Sequence, residues 1–220
     1  MNPAPVRLVL ASASPARAQL LRSAGIEADT VVSGVDETCI GAPDVAGLTR
    51  ALAQAKARAV AAGRTDGALV LGCDSLLELD GTAYGKPADA DDVRRRWRAM
   101  AGRSGALRTG HCLIDTRTGA EHSGVASTTV FFGTPSAVEI DAYAASGEPT
   151  RVAGGFTLDG YGGWFIDRID GDHGTVLGLS LPVLREFLAR CGLSPADLWP
   201  AVPGAAAPCG SPGGSDRSRA

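Results

Sequence analysis

Short apolar runs alternate with longer amphipathic stretches along most of the chain, and their spacing predicts strands and helices in mixed order. Residues 6–11 read as a buried strand, β-rich at its centre. Residues 12–15 end it. Pro15 suits the first position of a helix capped by Ser14, with Leu20, Leu21 and Ala24 as its apolar face and Gly25 as its stop. Val31 and Val32 belong to a second strand that stops near Gly34. Residues 44–62 carry the longest helical pattern, rich in Ala, Leu, Arg and Lys and closed by Gly63. A buried strand over 68–72 continues through 76–79, and Asp80-Gly81 signals a hairpin. Residues 89–100 form a helix whose acidic start and basic middle and end match the helix dipole.

Further along, 106–115 and 121–132 predict two long strands joined by a turn at 116–119. A helix follows over 135–145 with Thr134 as N-cap, then a strand over 164–169 and a last helix over 182–191. From about residue 200 the chain is Pro, Gly, Ala and Ser with little to bury, and disorder is expected over 200–220. Hairpins mixed with helices imply an α/β fold with a mixed sheet, not a strictly alternating parallel one.

Composition narrows the function classes. The chain has 220 residues, 45% hydrophobic and 20% charged, enough for one large domain or two small lobes. A net charge of −3 gives no basic footprint for a nucleic-acid polymer, although a small anion needs only a local cluster of cations. The five cysteines include no C-x-x-C pair, and their odd number fits a reducing compartment better than a disulfide scaffold. No signal-peptide pattern and no apolar run of membrane-spanning length is present, so a cytoplasmic protein without a membrane partner is expected.

Four polar segments interrupt the apolar pattern. Ser12, Ser14 and Arg17 lie at a strand-to-helix junction, where free N–H groups, hydroxyls and a guanidinium attract an anion; an ordinary capped helix start reads the same way. Asp36-Glu37 is either a hard-cation ligand set or a solvated acidic turn. Asp74 lies between two apolar runs, where an unpaired carboxylate is costly. It is either a desolvated base that needs a metal, Lys or backbone donor, or a turn cap. In Gly85-Lys86-Pro87 a Lys is immobilised between Gly and Pro, as suits a phosphate, or sits on a plain surface turn. Lys56 is the only other lysine in the chain. The histidines His111, His122 and His173 form no H-E-x-x-H; the first two lie on neighbouring strand patterns that could pair across a hairpin, and all three are read as structural or exposed. Residues 170–172 read as a turn.

In this order, LASASPARAQLL, VDE (35–37), QAKA (54–57), GCDS (72–75), GKPADADD (85–92), TGHCLI (109–114), SGEP (146–149), AGGFTLDGYGGWFI (153–166) and GTVLGLSLPVL (174–184) resemble the Maf family of nucleotide pyrophosphatases over nearly the whole chain except the tail. The resemblance implies a twisted mixed sheet flanked by helices, with residues 1–199 as one domain of two lobes around a deep cleft, similar to inosine triphosphatases. It implies hydrolysis of a nucleoside triphosphate to monophosphate and pyrophosphate with a divalent cation, Mg or Mn, and a homodimer is a further expectation. Asp74 matches the family's proton acceptor, Glu37 an essential acid near metal and water, and both are expected metal ligands. Lys56 and Lys86 match the triphosphate lysines, with Lys86 also counted in the catalytic set, and Ser12, Ser14 and Arg17 match the phosphate loop. Ala16 replaces a family Arg. Asp159 stands where the pyrimidine-preferring branch carries Gln, so an acceptor-only group would meet the base. The alternative reading is a nucleotide-binding regulator of septum formation with little turnover, and a third is a phosphatase that releases orthophosphate.

Overall fold

The computed structural model describes residues 6–200. The elements run β1 (Leu8–Leu10), α1 (Pro15–Ser23), β2 (Ala28–Thr30), α2 (Val45–Ala61), β3 (Leu69–Leu79), β4 (Thr82–Tyr84), α3 (Ala90–Met100), β5 (Ser104–Asp115), β6 (Glu121–Phe132), α4 (Ala137–Ala145), β7 (Ile166–Asp170), α5 (His173–Leu177) and α6 (Leu181–Arg190). The expected tail over 200–220 lies almost wholly outside the described residues. No described helix is long and apolar enough to cross a membrane.

The seven strands form one mixed sheet in the order β2-β1-β3-β5-β6-β7, with β4 also on β3. β1 runs parallel to β2 and β3, and the remaining pairs are antiparallel. β3 organises the molecule. One edge pairs with β5 from Leu69 to Glu78. The other edge pairs with β1 only at Leu69–Leu71 and with β4 only at Leu77–Leu79. Between those two ladders residues 72–76 have no strand neighbour on that edge.

The cores divide at the same place. Odd-numbered β3 side chains share one sheet face. There Leu69, Leu71 and Cys73 pack with Leu20 and Leu21 of α1 and with Leu184 and Phe187 of α6. Leu77 and Leu79 pack instead with Trp97 of α3, Ile140 and Tyr143 of α4, and Phe132. Ser75 falls between the two cores. On the opposite face Val70 and Cys112 meet Ala53, Ala57 and Val60 of α2.

Several elements differ from the sequence expectation. The second strand is Ala28–Thr30, not Val31-Val32, because pairing with Leu8–Leu10 decides its position; Val31 N donates to Leu10 O as the ladder ends, and Val32 is exposed. The N-cap of α4 is Ser136, not Thr134, since Ser136 and Glu139 close a reciprocal capping box. The strand expected over 164–169 begins at Ile166, preceded by a 3-10 turn over Tyr161–Phe165. Helix α5 was not foreseen; the turn at 170–172 supplies its cap, Asp172. Asp80-Gly81 does form the hairpin, both residues having positive φ as a primed turn requires.

Candidate active site at the gap in the sheet edge

Each polar segment singled out in the sequence lies in β3 or follows a strand on the side of the sheet where β3 is left unpaired. Ser12 to Arg17 follow β1, Glu37 follows β2, Asp74 and Ser75 lie in β3 itself, and Lys86 follows β4. This is the carboxyl end of β1 and β2, with the N-terminus of α1 beside it, a position in α/β sheets where ligands commonly bind.

On one side of the sheet, α2 delivers Lys56 to Asp74. Its approach depends on two glycines. A Cβ on Gly72 would lie 2.2 Å from Ala53 O, and one on Gly110 would lie 2.1 Å from Thr49 O. Gly110 is also the residue paired with Asp74 across the β3–β5 ladder. With no side chain beneath it, the helix backbone lies directly on the sheet. Lys56 Nζ then reaches Asp74 Oδ1 at 2.5 Å and Glu37 Oε1 at 2.7 Å. Glu37 opens a short 3-10 turn capped by Asp36, whose carboxylate accepts from Thr38 N. The Asp36 carboxylate therefore serves the backbone, and Glu37 alone of the pair meets Lys56.

Asp74 is buried, and burial holds its carboxyl above the ordinary carboxylate range. Lys56 and Arg17 pull in the opposite direction, and Glu37 adds to the rise. A carboxylate whose ionised form is disfavoured this way is a better proton acceptor than a solvated one.

On the other sheet face, Arg17 fills the seam between the two cores. Its Nε donates to Gly178 O at 2.7 Å, Nη1 to Ser12 Oγ at 3.0 Å and Nη2 to Ser75 Oγ at 3.0 Å. Thr109 Oγ1 donates to Thr175 O at 2.8 Å and lies 2.9 Å from Ser75 Oγ, so donors run from Arg17 through Ser75 and Thr109 to a backbone carbonyl. Three of the five guanidinium N–H groups are used, which leaves two for an anion. Ser14 caps α1 by accepting from Arg17 N at 3.4 Å, and Ser12 Oγ accepts from Ser14 N at 3.2 Å.

Behind this seam His111 is fully buried. Its Nε2 accepts from Ser180 N at 2.8 Å, and burial followed by Arg17 pushes its pKa down to about 4, so it is neutral. The register places Gly124 opposite His111 and Leu113 opposite His122, so the two histidines do not face each other across the hairpin.

Lys86 is exposed and has no ion-pair partner among the described residues. Asp159 is also exposed, on a loop held by Glu148, whose carboxylate accepts from Thr157 Oγ1 at 2.5 Å and from Tyr161 N and Gly162 N at 3.1 Å. No hydrogen bond or ion pair links Asp159 to the other candidate residues.

The donor set fits a hard cation shared with a ligand. Among the described residues no three His, Cys, Asp or Glu side chains converge. Glu37 and Asp74 do converge, on the one point marked by Lys56 Nζ. Two carboxylates with the remaining ligands from phosphate and water is the usual arrangement for magnesium.

Set against this geometry, the model of the Maf-like protein family matches residues 7–191. The chain belongs to the Maf family. It is 59% identical over 201 residues to a nucleoside triphosphate pyrophosphatase of Streptomyces coelicolor, covering 90% of this chain and 98% of that protein. Proteins of the same name match from Salinispora tropica, 53% identical over 89% of this chain and 88% of the relative, and from Mycobacterium leprae (strain TN), 46% identical over 90% and 98%. Within this Maf-like chain the structure draws Glu37, Lys56 and Asp74 into direct contact, and Ser12, Ser14 and Arg17 into a second linked group. Lys86 and Asp159 stand apart from both. The sequence reading missed Ser75 and Thr109, which carry the Arg17 network, and the role of Gly72 and Gly110. Their signal was adjacency: Ser75 follows Asp74, and Gly110 follows Thr109 in a Thr-Gly step.

Proposed function

We propose that this chain hydrolyses nucleoside triphosphates to nucleoside monophosphates and pyrophosphate. The single observation that carries the reading is the buried Asp74 at the unpaired edge of β3, held by Lys56 on one sheet face with Arg17 behind it on the other. The names borne by the Maf relatives support it.

In this reading the triphosphate lies in the gap between the two cores, which form two lobes of one domain. Arg17, Lys56 and Lys86 offset its charge, and Ser12 and Ser14 hold the loop around it. Asp74 takes a proton from water as the water oxygen bonds to the α-phosphorus. The bond from that phosphorus to the bridging oxygen breaks, and pyrophosphate leaves with the electron pair. Glu37 and Asp74 are the side chains that would hold a magnesium or manganese ion, which when bound supplies charge stabilisation on the phosphate oxygens. With such an ion between the carboxylates, Lys56 would turn from them toward phosphate. Asp159 faces the base as an acceptor and favours bases that present an amine or ring N–H. A cytoplasmic setting, where triphosphates are abundant, goes with this reading.

Product analysis tests it. Purified protein is incubated with a panel of normal and modified triphosphates and Mg²⁺ or Mn²⁺. Monophosphate and pyrophosphate in equal amounts are expected. Orthophosphate with diphosphate would overturn the reading, as would nucleotide binding without turnover.

A further inference from the structure

We infer that Arg96 is a positioning residue that aims Lys86 into the gap, acting through the backbone of the 85–88 loop. This rests on Lys86 as a triphosphate ligand. Gly85 follows directly on β4 and lies against Leu76, the last residue of the unpaired stretch of β3, with only 3.6 Å between a Cβ built on Gly85 and Leu76 Cδ2. The Lys86 backbone is therefore at the rim of the gap, while its ammonium has no ion-pair partner among the described residues.

That backbone is held chiefly by one ion pair on α3, with Gly154 N adding a hydrogen bond to Gly85 O at 3.1 Å. Arg96 Nη1 donates to Gly85 O at 2.6 Å and Nη2 to Lys86 O at 3.4 Å. Arg96 Nη2 also meets Asp92 Oδ2 at 2.7 Å, and the same oxygen accepts from Ala88 N at 3.0 Å. Both ion-pair side chains are largely buried, 14% exposed for Arg96 and 13% for Asp92. The guanidinium lies over the Tyr84 ring at 5.4 Å. Three of the four loop residues are thus tied to a single pair, and the fourth, Pro87, is buried with Gly155 beside it. A planar fork can serve two carbonyls at once, whereas an ammonium on a flexible stem cannot hold both in place. A Lys on a fixed backbone with a free ammonium loses less freedom on meeting phosphate than one on a mobile loop.

The test is a double-mutant cycle read as KM and kcat for a triphosphate substrate of the parent protein. Lys86→Ala is expected to raise KM. Arg96→Met is expected to raise KM on the order of tenfold, from misplacement alone. In the Lys86→Ala background Arg96→Met should change KM by less than about twofold, because the group it aims is gone. An equal rise in both backgrounds would show that Arg96 acts on the fold and would overturn the inference, as would an unchanged KM in Arg96→Met. Lys86→Ala with unchanged KM would instead sink the reading of Lys86, and this inference with it. Should Arg96→Met fail to fold, Arg96→Lys keeps the charge and is expected to show the same background dependence, with the same equal rise counting against it.

Discussion

Lys56 Nζ lies 2.5 Å from Asp74 Oδ1, and the same ammonium reaches Glu37 Oε1 at 2.7 Å. The contact spans a helix and a strand, and it exists because Gly72 and Gly110 let α2 rest on the sheet. Lys56 also opposes the rise that burial imposes on the Asp74 carboxyl.

A pH profile can read that opposition. If Asp74 must be ionised to accept a proton, kcat/KM should fall on the acid side as pH drops through its raised pKa, above the ordinary Asp value of about 3.9. Removing Lys56 removes a group that lowers this pKa. Lys56→Met should therefore shift the acid limb to higher pH, besides weakening substrate binding. An acid limb that stays in place would separate Lys56 from the ionisation of Asp74.

Gly110→Ala tests the geometry beneath the contact. The added methyl would meet Thr49 O, so α2 must lift. Overpacking of this kind costs roughly 1–3 kcal/mol. Denaturant unfolding should show that loss, and turnover should fall further than stability alone explains because Lys56 moves with the helix. An alanine variant with parent activity would show that the close approach does not set the site.

His111 gives a stability signature of its own. Its folded pKa, about 4, is depressed from an ordinary value of about 6.5. The stability that follows from neutral His111 is present above the ordinary value and is lost as pH falls toward 4. His111→Phe should flatten the acid dependence of Tm in that window. At neutral pH it should cost about 1–3 kcal/mol, since Ser180 N loses its acceptor inside the core.

Arg17→Lys keeps a charge but loses the fork. Gly178 O, Ser12 Oγ and Ser75 Oγ cannot all be served by one ammonium. Chemical denaturation should register a loss of about 1–3 kcal/mol, and KM for triphosphate should rise. Parent-like stability would mean that the seam does not depend on the guanidinium.

Most elements were legible in the sequence because local signals coincide with tertiary ones: Ser14 and Pro15 do start α1, and Asp80-Gly81 does turn the chain. Where they disagree, pairing and capping decide. Val31 and Val32 carry the stronger β propensity, yet Ala28–Thr30 pair with β1. Thr134 is a good cap residue, yet Ser136 has Glu139 at the right spacing. Helix α5 has only five residues, too few to show a period.

The candidate site was legible as a set of residue types and not as an arrangement. No local pattern tells that the residues of the β1 and β2 loops and of β3 border one gap, because that follows from where the β1 and β4 ladders stop on β3. Nor does it tell that Arg17 and Lys56 come to the site from opposite faces. Ser75 reads as an ordinary residue after Asp74 until strand alternation turns it toward Arg17. Gly110 reads as one more residue of the strand over 106–115 until α2 is seen to lie on it.

The most direct measurement of the central claim is single-turnover pyrophosphate release by Asp74→Asn, with nucleotide binding and Tm measured on the same sample. Asn cannot accept the proton, so release should fall by about 10²–10⁴-fold while the nucleotide still binds. Folding raises the pKa of Asp74, so its contribution to stability is present below the ordinary carboxylate pKa and lost as pH rises through the folded value. The Asn variant should thus gain in Tm relative to the parent as pH rises through that window. Pyrophosphate release at the parent rate by a folded, nucleotide-binding Asn variant would contradict the assignment of Asp74 as the base.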